Sequence, residues 1–332
     1  MTEITLYQSD TNQLYLIPDD DYLMLTFVLT RIASAAVIVF GVVCLVFLLI
    51  HLVPGDPVEV MLGESAQPAE REALRESLGL NQPIGVQLVR YLNGLLHLDL
   101  GDSLHTKRPV GEMLAERIPA TMLLALAALA VAISIAIPLG ALAAVCRNTA
   151  WDRSAMGFAM IGISIPNFVM GPILILIFAV WLQWLPVSGR EEGIASLVLP
   201  AVTLGTALAA LLSRMVRSAL LEVLGEDFIR TARAKGLREV VVIFRHGLPN
   251  AALPIITVLG LQLGTLLGGA VITEMVFSWP GLGQLTIEAI GQRDYPVLQG
   301  CVLVISLSYV GINTITDLVY AGLDPRIRLG AR

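Results

Sequence analysis

The chain has 332 residues, 56% of them hydrophobic and 14% charged, with a formal net charge of −6 and a mean hydropathy of +0.77. Soluble domains carry about 25% charged residues. Too few charges are present to clothe a globule of this length, which excludes a soluble protein and indicates a polytopic membrane protein whose surface mostly faces lipid.

The first 25 residues form an acidic tail with Glu3, Asp10, Asp19, Asp20 and Asp21. No cleavable signal peptide is expected. The first apolar run begins near Leu25, is too long for an h-region, and ends in His51-Leu52-Val53-Pro54 rather than a small-residue cleavage site. A helical span needs about 20 mostly apolar residues. On that measure, spans are expected over Thr26–Val53, Ala120–Cys146, Ala155–Leu185, Ile194–Met215, Leu253–Phe277 and Leu298–Tyr320. Cys44, Cys146 and Cys301 lie in or beside these runs without paired spacing and read as small apolar residues.

Between the first two spans lies a long loop, Pro54 to Pro119. Pro68 suits a first helical position, so a helix is expected over Ala69–Leu78, stopped by Gly79. A second, amphipathic helix starts near Pro83 and carries Ile84, Leu88, Tyr91 and Leu95 on one face. It would lie on the outer membrane surface or pack over the bundle mouth.

Arginine and lysine in short loops orient such a chain. Arg147 and Arg153 follow span two; Arg214, Arg217, Arg230, Arg233, Lys235, Arg238 and Arg245 follow span four; Arg326, Arg328 and Arg332 end the chain. The two short loops on the other side hold only Arg190 and Arg293. Both termini and the 4–5 loop are therefore expected in the cytoplasm, and the 54–119 loop outside.

No power source is legible. The lysines, Lys107 and Lys235, follow Thr106 and Ala234, so there is no Gly-Lys-Ser/Thr phosphate loop. Glu274 and Asp317 lie near span ends and no charge lies centrally, unlike an ion-coupled carrier. His51, His97, His105 and His246 are scattered, with neither His-Glu-x-x-His nor Gly-x-Ser-x-Gly. The chain is expected to be a non-catalytic subunit without cofactor or metal of its own and without a nucleic-acid partner.

After span four the sequence breaks at Gly225, restarts at Glu226-Asp227, where acidic residues favour a helix start, and breaks again at Gly236, which permits a left-handed turn. Phe228, Ala232, Leu237, Val240, Val241 and Phe244 are its expected apolar anchors, while Arg230, Arg233 and Lys235 project into solvent. In span five, Gly260, Gly264 and Gly268 recur every fourth residue, a spacing for close helix packing. Pro254 is expected to kink it. Gln262 and Thr265, with Asn167 after Pro166 in span three, are polar groups at membrane depth that either pack against protein or line a cavity. The segment Glu274 to Gly283 is expected at the outer end of span five, with Glu274 paired structurally or with an amine such as a peptide N-terminus. Trp279-Pro280-Gly281 reads as an interfacial turn with an aromatic membrane anchor.

The 4–5 loop resembles that of ABC-transporter permease subunits, whose motif reads Glu-Ala-Ala-x3-Gly-x9-Ile-x-Leu-Pro. Arg230-Thr231-Ala232 stands at the triplet, Gly236 at the glycine, His246 at the isoleucine and Leu248-Pro249 at the end. Further segments are similar to dipeptide, oligopeptide and nickel permeases: Glu226 to Leu237, Leu52 to Pro57, Leu78 to Pro83, Leu185 to Arg190, Phe277 to Gly283, Arg293 to Val297 and Asp324 to Arg328. The resemblance spans Leu25 to Arg328 and is greatest to the first permease of bacterial dipeptide importers. The acidic tail has no counterpart, and the loop after Arg190 is short.

The resemblance implies an all-α membrane fold of the type I ABC importer, in a bacterial inner membrane. It divides the chain into the tail (1–25), the first span with its outer loop (26–117), a five-helix core (118–321) with the coupling loop 218–250, and a basic tail (322–332). It implies a second permease, two ABC ATPase subunits that bind ATP and Mg, and an external solute-binding protein. Phe228 to Leu237 becomes the coupling helix, with Glu226, Phe228, Arg230, Ala232, Arg233, Lys235, Gly236 and Leu237 contacting an ATPase. Asn167, Gln262, Thr265 and Glu274 are the substrate-path candidates; the other reading of span five, with Gly260, Gly264 and Gly268, is close packing against the second permease. The implied cargo is a dipeptide or short peptide; oligopeptide, glutathione or nickel import are alternatives, and a self-sufficient channel or carrier is a different class.

Overall fold

A computed structural model describes residues 5–8, 14–17, 20–52, 58, 62 and 67–323. The motifs at 53–57 and 324–332, and Glu3, Asp10 and Asp19 of the tail, lie outside the described residues. The regular structure of the described residues is helical apart from the isolated bridge Asp102–Pro109 and one antiparallel pair in the acidic tail, β1 (Thr5–Gln8) with β2 (Leu14–Ile17), in register Leu6↔Leu16 and Tyr7↔Tyr15. An all-α reading omits this pair. Leu, Tyr and Ile in short runs on either side of a polar stretch are the available sequence signal.

The first span is α1 (Asp20–Leu52). In the outer loop, α2 (Pro68–Leu78) ends at Gly79, whose φ of 69° is left-handed, and α3 (Ile84–Leu96) follows. Tyr91 of α3 stacks on Phe47 of α1 with ring centroids 5.9 Å apart, and burial pushes its phenol up to about 12. Ile84 does not join Leu88, Tyr91 and Leu95 on the covered face; it is exposed.

The second span is α4 (Val110–Val145), the fourth α7 (Ile194–Val223), the sixth α12 (Tyr295–Leu323). Span three is not one helix. It is α5 (Ala150–Ser164) and α6 (Asn167–Trp181), bent 99° apart. Ile165, forced out of helical geometry by Pro166, has φ −101° and ψ 117°. Span five is α10 (Ala252–Val276), bent 65° from α9 (Glu239–Asn250). That bend precedes Pro254, which sits in the first turn of α10, where its missing N–H would have been unpaired anyway. Among the described residues four helices are long and apolar enough to span a membrane, or six when each bent pair is one span.

The core is the α4–α7 pair. Small residues of α4, including Ala128, Ala132, Ala136 and Gly140, are buried against α7. A Cβ on Gly205 of α7 would lie 2.7 Å from the Ala128 carbonyl oxygen, and one on Gly140 would lie 2.8 Å from that of Ser213. Close backbone approach of this kind replaces the hydrophobic drive that lipid removes. Conversely α1 is only 11% buried over its most apolar window. It packs on α12, where Arg31 pairs with Asp317 at 3.1 Å.

Candidate functional site

At the basic end, α7 runs into the motif loop. Glu226 is extended (φ −72°, ψ 152°) and opens α8 (Asp227–Ala234). Ile229 and Ala232 of α8 pack with Val242 of α9 against Val223 and Leu224 at the end of α7. Ile229, fully buried, is the anchor that the sequence reading passed over, although its spacing to Ala232 marks one helix face. Phe228, Leu237, Val240 and Phe244 are not anchors: their exposures are 43%, 39%, 63% and 50%.

The loop closes on Gly236, with φ +76° and its N–H donating to the Arg233 carbonyl at 2.9 Å. Arg233 forks onto Glu239 at 2.6 and 3.2 Å, tying α8 to α9 across the bend. Arg230 pairs with Asp227 at 3.1 Å in full solvent, a contact of little energetic weight. Glu226 and Lys235 are exposed. The result is a rigid two-helix knob whose outer face mixes exposed apolar side chains with arginine and lysine.

The other end is a knot around Glu274. This residue lies inside the last turn of α10 and is fully buried. Its Oε1 accepts from the Thr121 hydroxyl at 2.7 Å, and Oε2 accepts from the backbone N–H of Gln284 at 3.1 Å. The Gly283 N–H bonds to the same carboxylate. Thr121 in turn accepts from the Leu282 N–H at 2.8 Å. These are the first N–H groups of α11 (Leu282–Gln292), which has no side-chain cap of its own. Glu274 and Thr121 therefore cap α11 from two other helices, with the carboxylate at the positive end of its dipole.

Trp279 is also buried, not interfacial. Its indole N–H donates to the Ala120 carbonyl at 2.9 Å, and its ring sits in the α4–α7–α10 core. Arg190 lies 5.9 Å over that ring, and the Gly189 N–H donates to the Phe277 carbonyl at 2.9 Å. The Leu185–Arg190 and Phe277–Gly283 segments thus meet.

The substrate-path candidates do not form one lining. Glu274 is sealed inside protein. Asn167 is half-buried at the start of α6, and Thr265 is exposed with its hydroxyl donating to the Gln262 carbonyl at 2.9 Å. Gln262 is 5% exposed, and neither its Oε1 nor its Nε2 has a partner.

The glycine stripe packs, but on the chain's own sixth span. A Cβ on Gly260 would run into Thr316, and one on Gly264 would lie 2.8 Å from the Tyr309 ring. The surroundings of Gly268 lie outside the described residues. Gly260→Ala is expected to cost about 1–3 kcal/mol through overpacking, read as a lower thermal unfolding midpoint of the purified protein in detergent.

Cys301 is fully buried, Cys44 and Cys146 half so. Among the described residues no group of His, Cys, Asp or Glu is arranged to hold a metal.

A family model described as "Binding-protein-dependent transport system inner membrane component" matches residues 136–329, and one for the N-terminal part of such membrane components matches 24–125. The dipeptide transport system permease protein DppB of Escherichia coli (strain K12) is 43% identical, covering 92% of this chain and 99% of that protein. The glutathione transport system permease protein GsiC of Salmonella typhimurium (strain LT2) is also 43% identical, with the same coverage. A chain of the MetNI methionine ABC transporter, solved in inward facing conformations, aligns with a TM-score of 0.55 at 24% identity, covering 64% of this chain and 96% of that one.

Proposed function

The chain belongs to the family of inner membrane components of binding-protein-dependent transport systems, and from that premise we propose that it is one of two permeases of an ABC importer for dipeptides or short peptides. It has the type I importer permease fold and is a multi-pass, non-catalytic membrane subunit. The observation that carries the substrate reading is the 43% identity to DppB over 92% of the chain. The same identity to GsiC makes glutathione, itself a short peptide, the second reading.

In the proposed assembly two ATPase subunits lie beneath the permeases and an external binding protein feeds them. The arginine and lysine bias puts the α8–α9 knob in the cytoplasm and the Glu274 knot on the outer side. Phe228, Leu237, Val240 and Phe244 would enter an ATPase groove, with Arg230 and Lys235 at its rim. ATP-driven closure of the ATPases would pull the two knobs together and shift each permease between inward and outward states. Asn167, Thr265 and Gln262 remain the path residues, and the unpaired Gln262 amide supports this: a buried polar side chain without a partner is costly.

Reconstitution of the chain with its second permease, ATPases and binding protein tests the reading. ATP-dependent uptake of labelled dialanine is expected, with none by the chain alone. Transport by the purified chain alone in liposomes, or ATP-independent uptake, would overturn it. Glutathione uptake without dialanine uptake would favour the second reading.

A further inference from the structure

We propose that Asp152 and Arg217 form a positioning latch that transmits motion of the α8–α9 knob to the broken span α5–α6; the inference rests on the function proposed above. Arg217 lies in the last two turns of α7, and Asp152 in the first turn of α5. The guanidinium forks onto the carboxylate, Nε to Oδ1 at 2.7 Å and Nη2 to Oδ2 at 2.8 Å. Oδ2 also accepts from the Asn148 N–H at 2.9 Å. The Asp152 side chain is 7% exposed and that of Arg217 27%. A two-pronged pair fixes orientation as well as distance, which a point charge does not.

The flanking contacts give this pair its consequence. On one side, the end of α7 is welded to the knob: Val223 and Leu224 pack on Ile229, Ala232 and Val242, and Gly247 of α9 sits against Leu220. A displacement of α8 therefore carries Arg217 with it. On the other side, α5 leads to the 99° break at Pro166 and the Asn167 end of α6. The rest of the α5–α7 contact is small-residue packing, with Gly162 pressed on the Thr206 backbone. That contact sets how near the two helices lie, and the charged fork adds a fixed orientation to it. Among the described residues Asp152–Arg217 is the one ion pair joining α5 to α7, so it decides whether the two helices move together.

The test uses the complete reconstituted transporter. The quantities are basal ATP hydrolysis, dialanine imported per ATP, and the distance between spin labels at Glu222→Cys and Phe168→Cys in a background where Cys44, Cys146 and Cys301 are serine. Asp152→Asn is expected to lower import per ATP at least fivefold while basal hydrolysis and the amount of assembled complex stay within twofold. It should also abolish the ATP-dependent change of the label distance. Arg217→Lys, which keeps the charge and loses the fork, is expected to be intermediate; it also serves if Asp152→Asn does not assemble. The exchange Asp152→Arg with Arg217→Asp is expected to recover part of the import ratio. An unchanged ratio and distance response in Asp152→Asn or Arg217→Lys would overturn the latch. So would a parallel loss of hydrolysis and import in both, which marks a folding role alone. A wild-type complex with neither ATP-dependent import nor distance response would instead overturn the proposed function.

Discussion

Glu274→Ala is expected to destabilise the permease by about 3–5 kcal/mol, because it strips the acceptor from three donors, each costing about 1–3 kcal/mol when buried and unpaired and not fully additive. The donors are the Thr121 hydroxyl and the N–H groups of Gly283 and Gln284. Glu274→Gln keeps the shape and one acceptor oxygen. Its amide nitrogen then meets a donor, so about 1–2 kcal/mol is expected, the weight of roughly one buried hydrogen bond. The measurement is the thermal unfolding midpoint of the assembled transporter in detergent, with membrane abundance beside it, and the order Ala worse than Gln is the signature. Gly281→Ala should behave like the stronger variant, since a Cβ there would strike the Glu274 carboxylate. A carboxylate that met the amine of a passing peptide would behave differently: stability would hold and the KM for uptake would rise. That outcome would restore Glu274 to the substrate path and defeat the capping role.

Gly236→Pro should leave the protein inserted and folded in its spans but reduce ATP-driven uptake by a factor on the order of 100. The residue sits at φ +76° and donates its N–H to Arg233. Proline fixes φ near −65° and has no N–H, a combination that costs about 3 kcal/mol or more where the backbone cannot adapt. Nothing lies within 4 Å of a Cβ at this position, so the penalty is one of backbone alone. Gly236→Ala therefore separates the causes: it carries only the left-handed strain of about 1–2 kcal/mol, and uptake should fall by a smaller factor. Membrane abundance and ATP-dependent dialanine uptake in the reconstituted transporter are the measurements. Normal uptake by the proline variant would show that α8 does not transmit force from an ATPase.

Some of the site was readable without coordinates because it is local. Gly236 reads as a left-handed turn because a helix-breaking glycine between two short amphipathic runs has few alternatives. The repeat at Gly260 and Gly264 marks a face that a helix can approach closely, but not which helix: Thr316 and Tyr309 of α12 lie against it. Other signals were present but passed over. Ala128, Ala132, Ala136 and Gly140 carry the same four-residue repeat in α4, and Pro166 forbids a straight third span. Ile229 was passed over for Phe228 because both are apolar and adjacent; the side of α8 that faces α7 is fixed by the approach of Val223 and Leu224.

By itself the sequence determined the class of molecule. Runs of apolar residues long enough to cross lipid and the ordered motifs around Gly236 mark a multi-pass membrane permease subunit, because span length and backbone freedom are properties of short segments. Only the tertiary structure decided which groups Glu274, Trp279 and Asp152 meet. Thr121 stands 153 residues from Glu274, Ala120 stands 159 from Trp279, and Arg217 stands 65 from Asp152. A buried polar group takes its meaning from the donor or acceptor it meets, and that meeting exists only once the helices have packed.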